Sequence, residues 1–469
     1  MSVDKKIPLG AFIGMTCAFV ASVRNIPDVA AAGWTMAFYM LIAVLFYALP
    51  VSLISGEFAG MFRGDGGPEL WVTSSLGEKW GFVASWMLWV QMFPGMVMIA
   101  SVLAPMLSGA VGKPELAQDN VFTLVCILAV YWAVTLLNFK FDMAKIGGRI
   151  GVWFGLYVPM VVLFALGVAA FAKTGLNPKS ALGAFEPARL AADRETASSL
   201  RFLVPIMAIF TGIEMSSVYI TRLENPTKNY FRGVTAALVF VAVFNVLNGF
   251  LLANAVEGEL ELDNIAQGVA VYCKILGLPP ITVNIFCLMA FIGVAVQLSA
   301  WATGPSKTIT ASARRGLCPP RFGFWKTNGH DVSVNVLLTQ AAVISVFALS
   351  FLLVPVMNEA FLLLVGTTMV IYSIVYLIMG AGILKLRMSR PELSRPFRVG
   401  GTKGDTMIRV VTTVMFVSVI GATAASLFAE PLLDALIELV MAAGLFAVPF
   451  IIYRCRKSSW ETDVKKMLE

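Results

Sequence analysis

Charge is scarce in this chain. Only 13% of its 469 residues are Asp, Glu, Lys or Arg, about half the roughly 25% of an ordinary soluble domain. Histidine is nearly missing. The single one, His330, lies in a basic loop, which excludes a His-based triad, a histidine zinc site and a midplane histidine proton relay. The six cysteines (Cys17, Cys126, Cys273, Cys287, Cys318 and Cys455) lie far apart. None forms a C-x-x-C pair, so neither a metal site nor a disulfide framework is indicated, and small buried hydrophobes are the expectation. No Walker A sequence is present, no signal-peptide cleavage site follows the N-terminus, and no metal or cofactor is expected.

What the chain has instead is apolar length. The apolar fraction is 58% and the mean hydropathy +0.81, beyond what one large soluble core accounts for. No charged residue occurs over Gly81–Gly112, Ile150–Ala172, Ile275–Ser306 or Phe361–Leu384. Each run exceeds the roughly 20 residues that cross about 30 Å of hydrocarbon as a helix. Backbone in lipid must satisfy its own hydrogen bonds, so the runs predict helices. Twelve spans are expected, at about 8–31, 36–58, 81–109, 120–138, 150–172, 199–221, 233–256, 279–303, 332–354, 359–384, 410–429 and 433–453, with boundaries good to roughly 2–4 residues. Placing the N-terminus inside puts 27 Lys and Arg on the cytoplasmic side and 7 outside, leaving Arg24 within the first span. The positive-inside rule then makes both termini cytoplasmic. The fold class is an all-α membrane protein in an inner (cytoplasmic) membrane. The net charge of +7 follows from the basic loops and gives no reason to expect nucleic-acid binding.

Two spans carry polar interruptions. The first holds Gly14, Ser22-Val23-Arg24-Asn25-Ile26-Pro27 and Gly33; the sixth holds Pro205, Thr211-Gly212-Ile213-Glu214 and Ser216-Ser217. They sit five spans apart, as in carriers built from two inverted five-helix repeats whose site lies where paired broken helices meet. Half-helix N-termini can face a carboxylate there, and freed carbonyls a cation. Arg24 is the sharpest anomaly, because a cation at the centre of a span costs on the order of 2.5–3.5 kcal/mol on insertion scales. It either holds a substrate carboxylate or pairs with Asp28, although Pro27 between them disturbs regular i,i+4 geometry. Glu214 is a candidate for binding a substrate ammonium or for proton coupling, against a bracing role between the two broken helices. Glu57 is expected to make a helix-end contact with a loop. Trp86, Trp89, Phe210, Trp301, Tyr372 and Tyr376 are rings able to enclose an amine, or else packing and interfacial anchors.

Several segments resemble the amino acid–polyamine–organocation superfamily, and within it the glutamate/γ-aminobutyrate antiporter family. Ser22-Val23-Arg24-Asn25-Ile26-Pro27 is similar to that family's S-x-R-N-x-P opening. Ser55-Gly56-Glu57-Phe58-Ala59 is similar to its S-A-E-L-A, followed by Gly66-Gly67 and Trp71. Gly212-Ile213-Glu214-Met215-Ser216-Ser217 and Glu224-Asn225-Pro226-Thr227-Lys228-Asn229-Tyr230 resemble the sixth span and its exit. Trp301 to Lys307 with Arg315 to Pro320 resembles the eighth, and Arg395-Pro396-Phe397-Arg398-Val399-Gly400-Gly401 the loop after the tenth. The resemblance implies a LeuT-like fold: residues 1–172 and 198–385 as two inverted five-helix repeats, 408–453 as two additional helices, and 454–469 as a short cytoplasmic tail. It implies exchange of amino acids or their amine products by alternating access. The substrate site it implies comprises Arg24, Asn25, Ile26, Phe210, Gly212, Glu214, Ser216 and Trp301. Tyr219, Arg222 and Gly400 depart from the family's usual His, acid and Pro, and the tail is too short for the plug of its acid-resistance members.

An amino acid/amine antiporter is thus the leading expectation. A proton-coupled symporter is the alternative, with Glu214 as the proton-coupling candidate. A transporter-like nutrient sensor is a third class, which the short termini disfavour. The expected partners are a small amino acid or amine and the lipid bilayer.

Overall fold

A backbone with no water to bond must close its hydrogen bonds along its own segment, and the described residues are accordingly mostly helical. The computed structural model describes residues 6–62, 67–141, 153–190, 197–330, 332–354, 356–401, 404–429 and 432–468. Among them the only β-pairings are two isolated bridges, Ile7 with Leu223 and Ser180 with Glu257. The rest is helix and connection. In chain order the helices are α1 (Leu9–Val20), α2 (Ile26–Ala31), α3 (Gly33–Met61), α4 (Gly67–Leu76), α5 (Glu78–Ala110), α6 (Asn120–Lys140) and α7 (Val158–Thr174). They continue as α8 (Leu203–Ala208), α9 (Pro226–Ala255), α10 (Ala266–Leu276), α11 (Ile281–Arg314), α12 (Val334–Leu353), α13 (Met357–Ser389), α14 (Gly404–Ala429), α15 (Leu432–Arg454) and α16 (Ser459–Leu468).

Ten helical stretches among the described residues are long and apolar enough to cross a membrane, the stretch Leu200–Ser217 that contains α8 among them, and eleven if the bent pair formed by α1 and the Val23–Ala31 segment is one span. α7 is apolar but shorter; a π-helical turn, Trp153–Tyr157, leads into it. The start of the expected fifth span, residues 150–152, lies outside the described residues, as does Gly66. Three helices arise where no span was expected. α4 and α10 lie in connections, and α16 lies in the tail, where Val464 is buried against the bundle.

The spans differ in how they meet their surroundings. α5 and α13 run through the centre, and α14 and α15 keep most of their surface outward. Outward positions carry large apolar residues such as Leu41, Val161, Ile285, Val417 and Val440, the pattern a lipid solvent requires. Close helix contact rests on small residues, as is usual between membrane helices. A Cβ on Gly249 of α9 would lie 2.7 Å from the Val29 side chain of α2, and one on Gly109 of α5 would lie 2.7 Å from Cys287 Sγ of α11.

At the Met61 end of α3, Glu57 is fully buried. Its two carboxylate oxygens accept from Arg387 Nε at 2.5 Å and Nη2 at 2.6 Å, and the Val399 N–H donates at 2.9 Å. Arg395 lies 3.2 Å from the same carboxylate, and Arg387 also reaches Asp405 at 3.0 Å. The expected helix-end contact is therefore a buried cluster joining α3, α13 and the segment leading to α14.

Candidate functional site

The first span breaks because its sequence cannot continue the hydrogen-bond ladder. Ala21 and Ser22 are extended, at φ −76°, ψ 133° and φ −158°, ψ 141°. The Ser22 hydroxyl accepts from the Arg24 N–H at 3.4 Å, and Pro27 lies in the first turn of α2. Proline lacks the amide that would bond back across the break. α1 and the Val23–Ala31 segment consequently meet at a 52° bend. Gly14 sits inside an uninterrupted α1, whereas Gly33 takes φ +59°.

The sixth span breaks at Gly212, whose φ of +91° is left-handed and favours glycine. α8 ends at Ala208, and beyond Gly212 the chain winds as a 3₁₀ helix, Ile213–Arg222. Runs that long are uncommon in 3₁₀ geometry. Glu214, Ser216 and Ser217 lie along it, all fully buried.

Between the two breaks is a cavity of about 60 Å³. Since about 10–15 Å³ of such space holds one water, it has room for several. Five elements line it: Phe19 to Ser22 and Arg24 from the first break; Gln91, Met92, Gly95, Met98 and Ile99 from α5; Ala208, Ile209 and Thr211 from the second break; Gln297 and Trp301 from α11; and Val365, Thr368, Met369 and Tyr372 from α13. The α13 residues are spaced i, i+3, i+4 and i+7, and so form one face of that helix. Arg24 is the one charged residue in the lining among the described residues. Among the described residues its guanidinium has no hydrogen-bond or ion-pair partner. Asp28 is buried with Oδ1 unpartnered, and no hydrogen bond or ion pair joins it to Arg24 among the described residues.

Glu214 stands behind this lining. Tyr372 donates its hydroxyl to Oε1 and Tyr376 donates to Oε2 at 2.7 Å, while the Gly212 N–H donates to the Tyr376 oxygen at 3.3 Å. Tyr372 thus connects the carboxylate to the cavity wall. Of the eight expected site residues, the structure brings Arg24 and Trp301 into the lining, and the Gly212 backbone lies against Trp301, 3.1 Å from where a Cβ would be. Asn25, Ile26, Phe210 and Ser216 are buried behind it, and the Ser216 hydroxyl donates to Ile213 O at 2.8 Å. Trp86 and Trp89 donate to Leu445 O and Gln340 Oε1, both at 3.0 Å, and serve packing between helices. Gln91, Gln297 and Thr368 escaped the sequence reading. The available signal was an amide in the middle of a charge-free run, at Gln91 and again at Gln297.

Residues 9–452 match a family described as Amino acid permease. The chain is 28% identical over 426 residues to a glutamate/gamma-aminobutyrate antiporter of Lactococcus lactis, covering 86% of this chain and 81% of that protein. It is 25% identical over 406 residues to an uncharacterized transporter of Legionella pneumophila, covering 86% and 85%. A probable agmatine/putrescine antiporter of Lactococcus lactis is 23% identical over 424 residues, with 87% of each chain covered. The family match runs through both broken spans, the cavity between them and the helices beyond, so this chain belongs to the amino acid permease family of multi-pass membrane transporters.

Proposed function

We propose that the chain is a secondary antiporter that exchanges an amino acid for an amine or a second amino acid by alternating access around the cavity between the two breaks. The observation that carries this reading is Arg24, whose guanidinium has no hydrogen-bond or ion-pair partner among the described residues, in the lining of a cavity bounded by interrupted helix ends. A guanidinium recognises a carboxylate bidentately. The last carbonyls of α1 have no partner within the helix and suit an ammonium. Arg24 and Trp301 line the cavity, with Gly212 against Trp301, and form the substrate site; Asn25, Ile26, Phe210, Glu214 and Ser216 support it from behind the lining. Similarity to the two Lactococcus lactis antiporters supports exchange. We place the whole chain in a LeuT-like architecture, which family membership implies: twelve spans, with residues 1–172 and 198–385 as inverted repeats, 408–453 as two further helices, and both termini cytoplasmic by the Lys/Arg asymmetry.

Counterflow in proteoliposomes tests the reading. Labelled amino acid should enter only vesicles preloaded with a partner solute, whatever the pH gradient. A proton-coupled symporter is the second reading, favoured by Glu214, a fully buried carboxylate one tyrosine away from the cavity. It predicts accumulation by empty vesicles made acidic outside. Absence of any flux would favour the sensor instead.

A further inference from the structure

Resting on the antiport reading, the chemistry of the cavity wall narrows its substrates. Among the described residues the wall holds one fixed charge, that of Arg24. The neighbouring carboxylate, Glu214, already accepts a hydroxyl on each oxygen and does not line the space. Uncharged amides (Gln91, Gln297) and three methionines (Met92, Met98, Met369) make up much of the remainder.

We propose that this cavity selects amino acids of zero net charge, with one carboxylate and a small or medium apolar side chain, over dicarboxylic amino acids, dibasic amino acids and polyamines. One guanidinium neutralises one carboxylate. A second carboxylate would be desolvated with no counter-charge, and an unpaired buried charge is strongly unfavourable. A polyamine would bring two or more cations against Arg24 with no lining acid to receive them, a repulsion that low local dielectric enlarges. Methionine side chains are unbranched and polarizable and adapt to apolar groups of different shapes. The volume of about 60 Å³, several waters' worth, suits a small solute, so charge rather than size discriminates against the diamines.

The test uses the full chain in liposomes. Exchange of labelled leucine is challenged with unlabelled alanine, valine, methionine and leucine, with glutamate and aspartate, and with lysine, putrescine and spermidine. The best neutral competitor should half-inhibit at a concentration at least tenfold below that of every charged competitor. Any dicarboxylate, dibasic amino acid or polyamine inside that tenfold margin overturns the proposal. If no exchange occurs, the antiport reading fails on its own. Selectivity is then read from thermal stabilisation of the purified protein by the same solutes, under the same tenfold criterion. A gain-of-function variant adds an independent check: Met98→Arg, at a partly exposed lining position, supplies a second cation and should improve glutamate relative to leucine at least tenfold. A folded Met98→Arg protein with unchanged ranking would also overturn it.

Discussion

Replacing Arg387 by Met separates two accounts of the buried charge cluster at the end of α3. Glu57 is fully buried and Arg387 nearly so, and they share two hydrogen bonds of 2.5 and 2.6 Å. Hydrogen bonds to charged groups contribute about 1.5–3 kcal/mol each, and removing one partner of a buried pair typically costs about 3–5 kcal/mol. The carboxylate keeps two neighbours, the Val399 N–H at 2.9 Å and Arg395 at 3.2 Å, so the lower end, about 3 kcal/mol, is expected. The Asp405 contact adds little because that carboxylate is exposed. The assay is thermal unfolding in detergent at one fixed scan rate, since unfolding of such proteins is often irreversible. It is followed by dye labelling of cysteines such as Cys126, Cys287 and Cys318, which are buried in the folded state. Arg387→Met should unfold several degrees below the wild type. The double variant Glu57→Gln/Arg387→Met should recover part of the loss, because it removes both charges. An Arg387→Met melting temperature equal to that of the wild type, or a double variant that melts no higher than Arg387→Met, would refute the argument that desolvation of Glu57 dominates.

Other perturbations follow from particular contacts. Gly212→Ala forces a Cβ into a left-handed conformation, costing about 1–2 kcal/mol, and to within 3.1 Å of Trp301; exchange should fall, and an unchanged rate would show that the Trp301 side chain yields freely. Tyr372→Phe removes one donor from Glu214 and a hydroxyl from the cavity wall, whereas Tyr376→Phe removes the donor to the other oxygen. The substrate concentration for half-maximal exchange should rise more for Tyr372→Phe, and equal effects would count against Tyr372 as the wall residue. Asp263 lies between α9 and α10, where burial and then the Glu261 charge raise its carboxyl from 3.8 to about 7. The folded state therefore binds its proton more tightly than the unfolded one, and stability falls as pH rises from about 4 to 7, then levels off. Asp263→Asn should flatten that part of the stability–pH curve, and a variant with the wild-type slope would assign the slope to another group.

The sequence by itself determined which segments are helical and apolar. Long charge-free runs admit only a self-bonded backbone in lipid, and the expected spans at 36–58, 81–109 and 120–138 lie within α3, α5 and α6. It also marked both breaks, because Pro27 and Gly212 stand among polar residues within otherwise apolar spans. Tertiary structure decided what the breaks enclose. Arg24 and Asp28 are four residues apart, yet nothing in their spacing says that the guanidinium faces a cavity while a carboxylate oxygen stays unpartnered. Glu214 meets Tyr372 and Tyr376 across about 160 residues of chain, and Glu57 meets Arg387 across 330. Such pairings depend on which helix faces meet. In a chain with few charges, side chains this far apart in sequence leave no local pattern to connect them, and only helix packing brings them together.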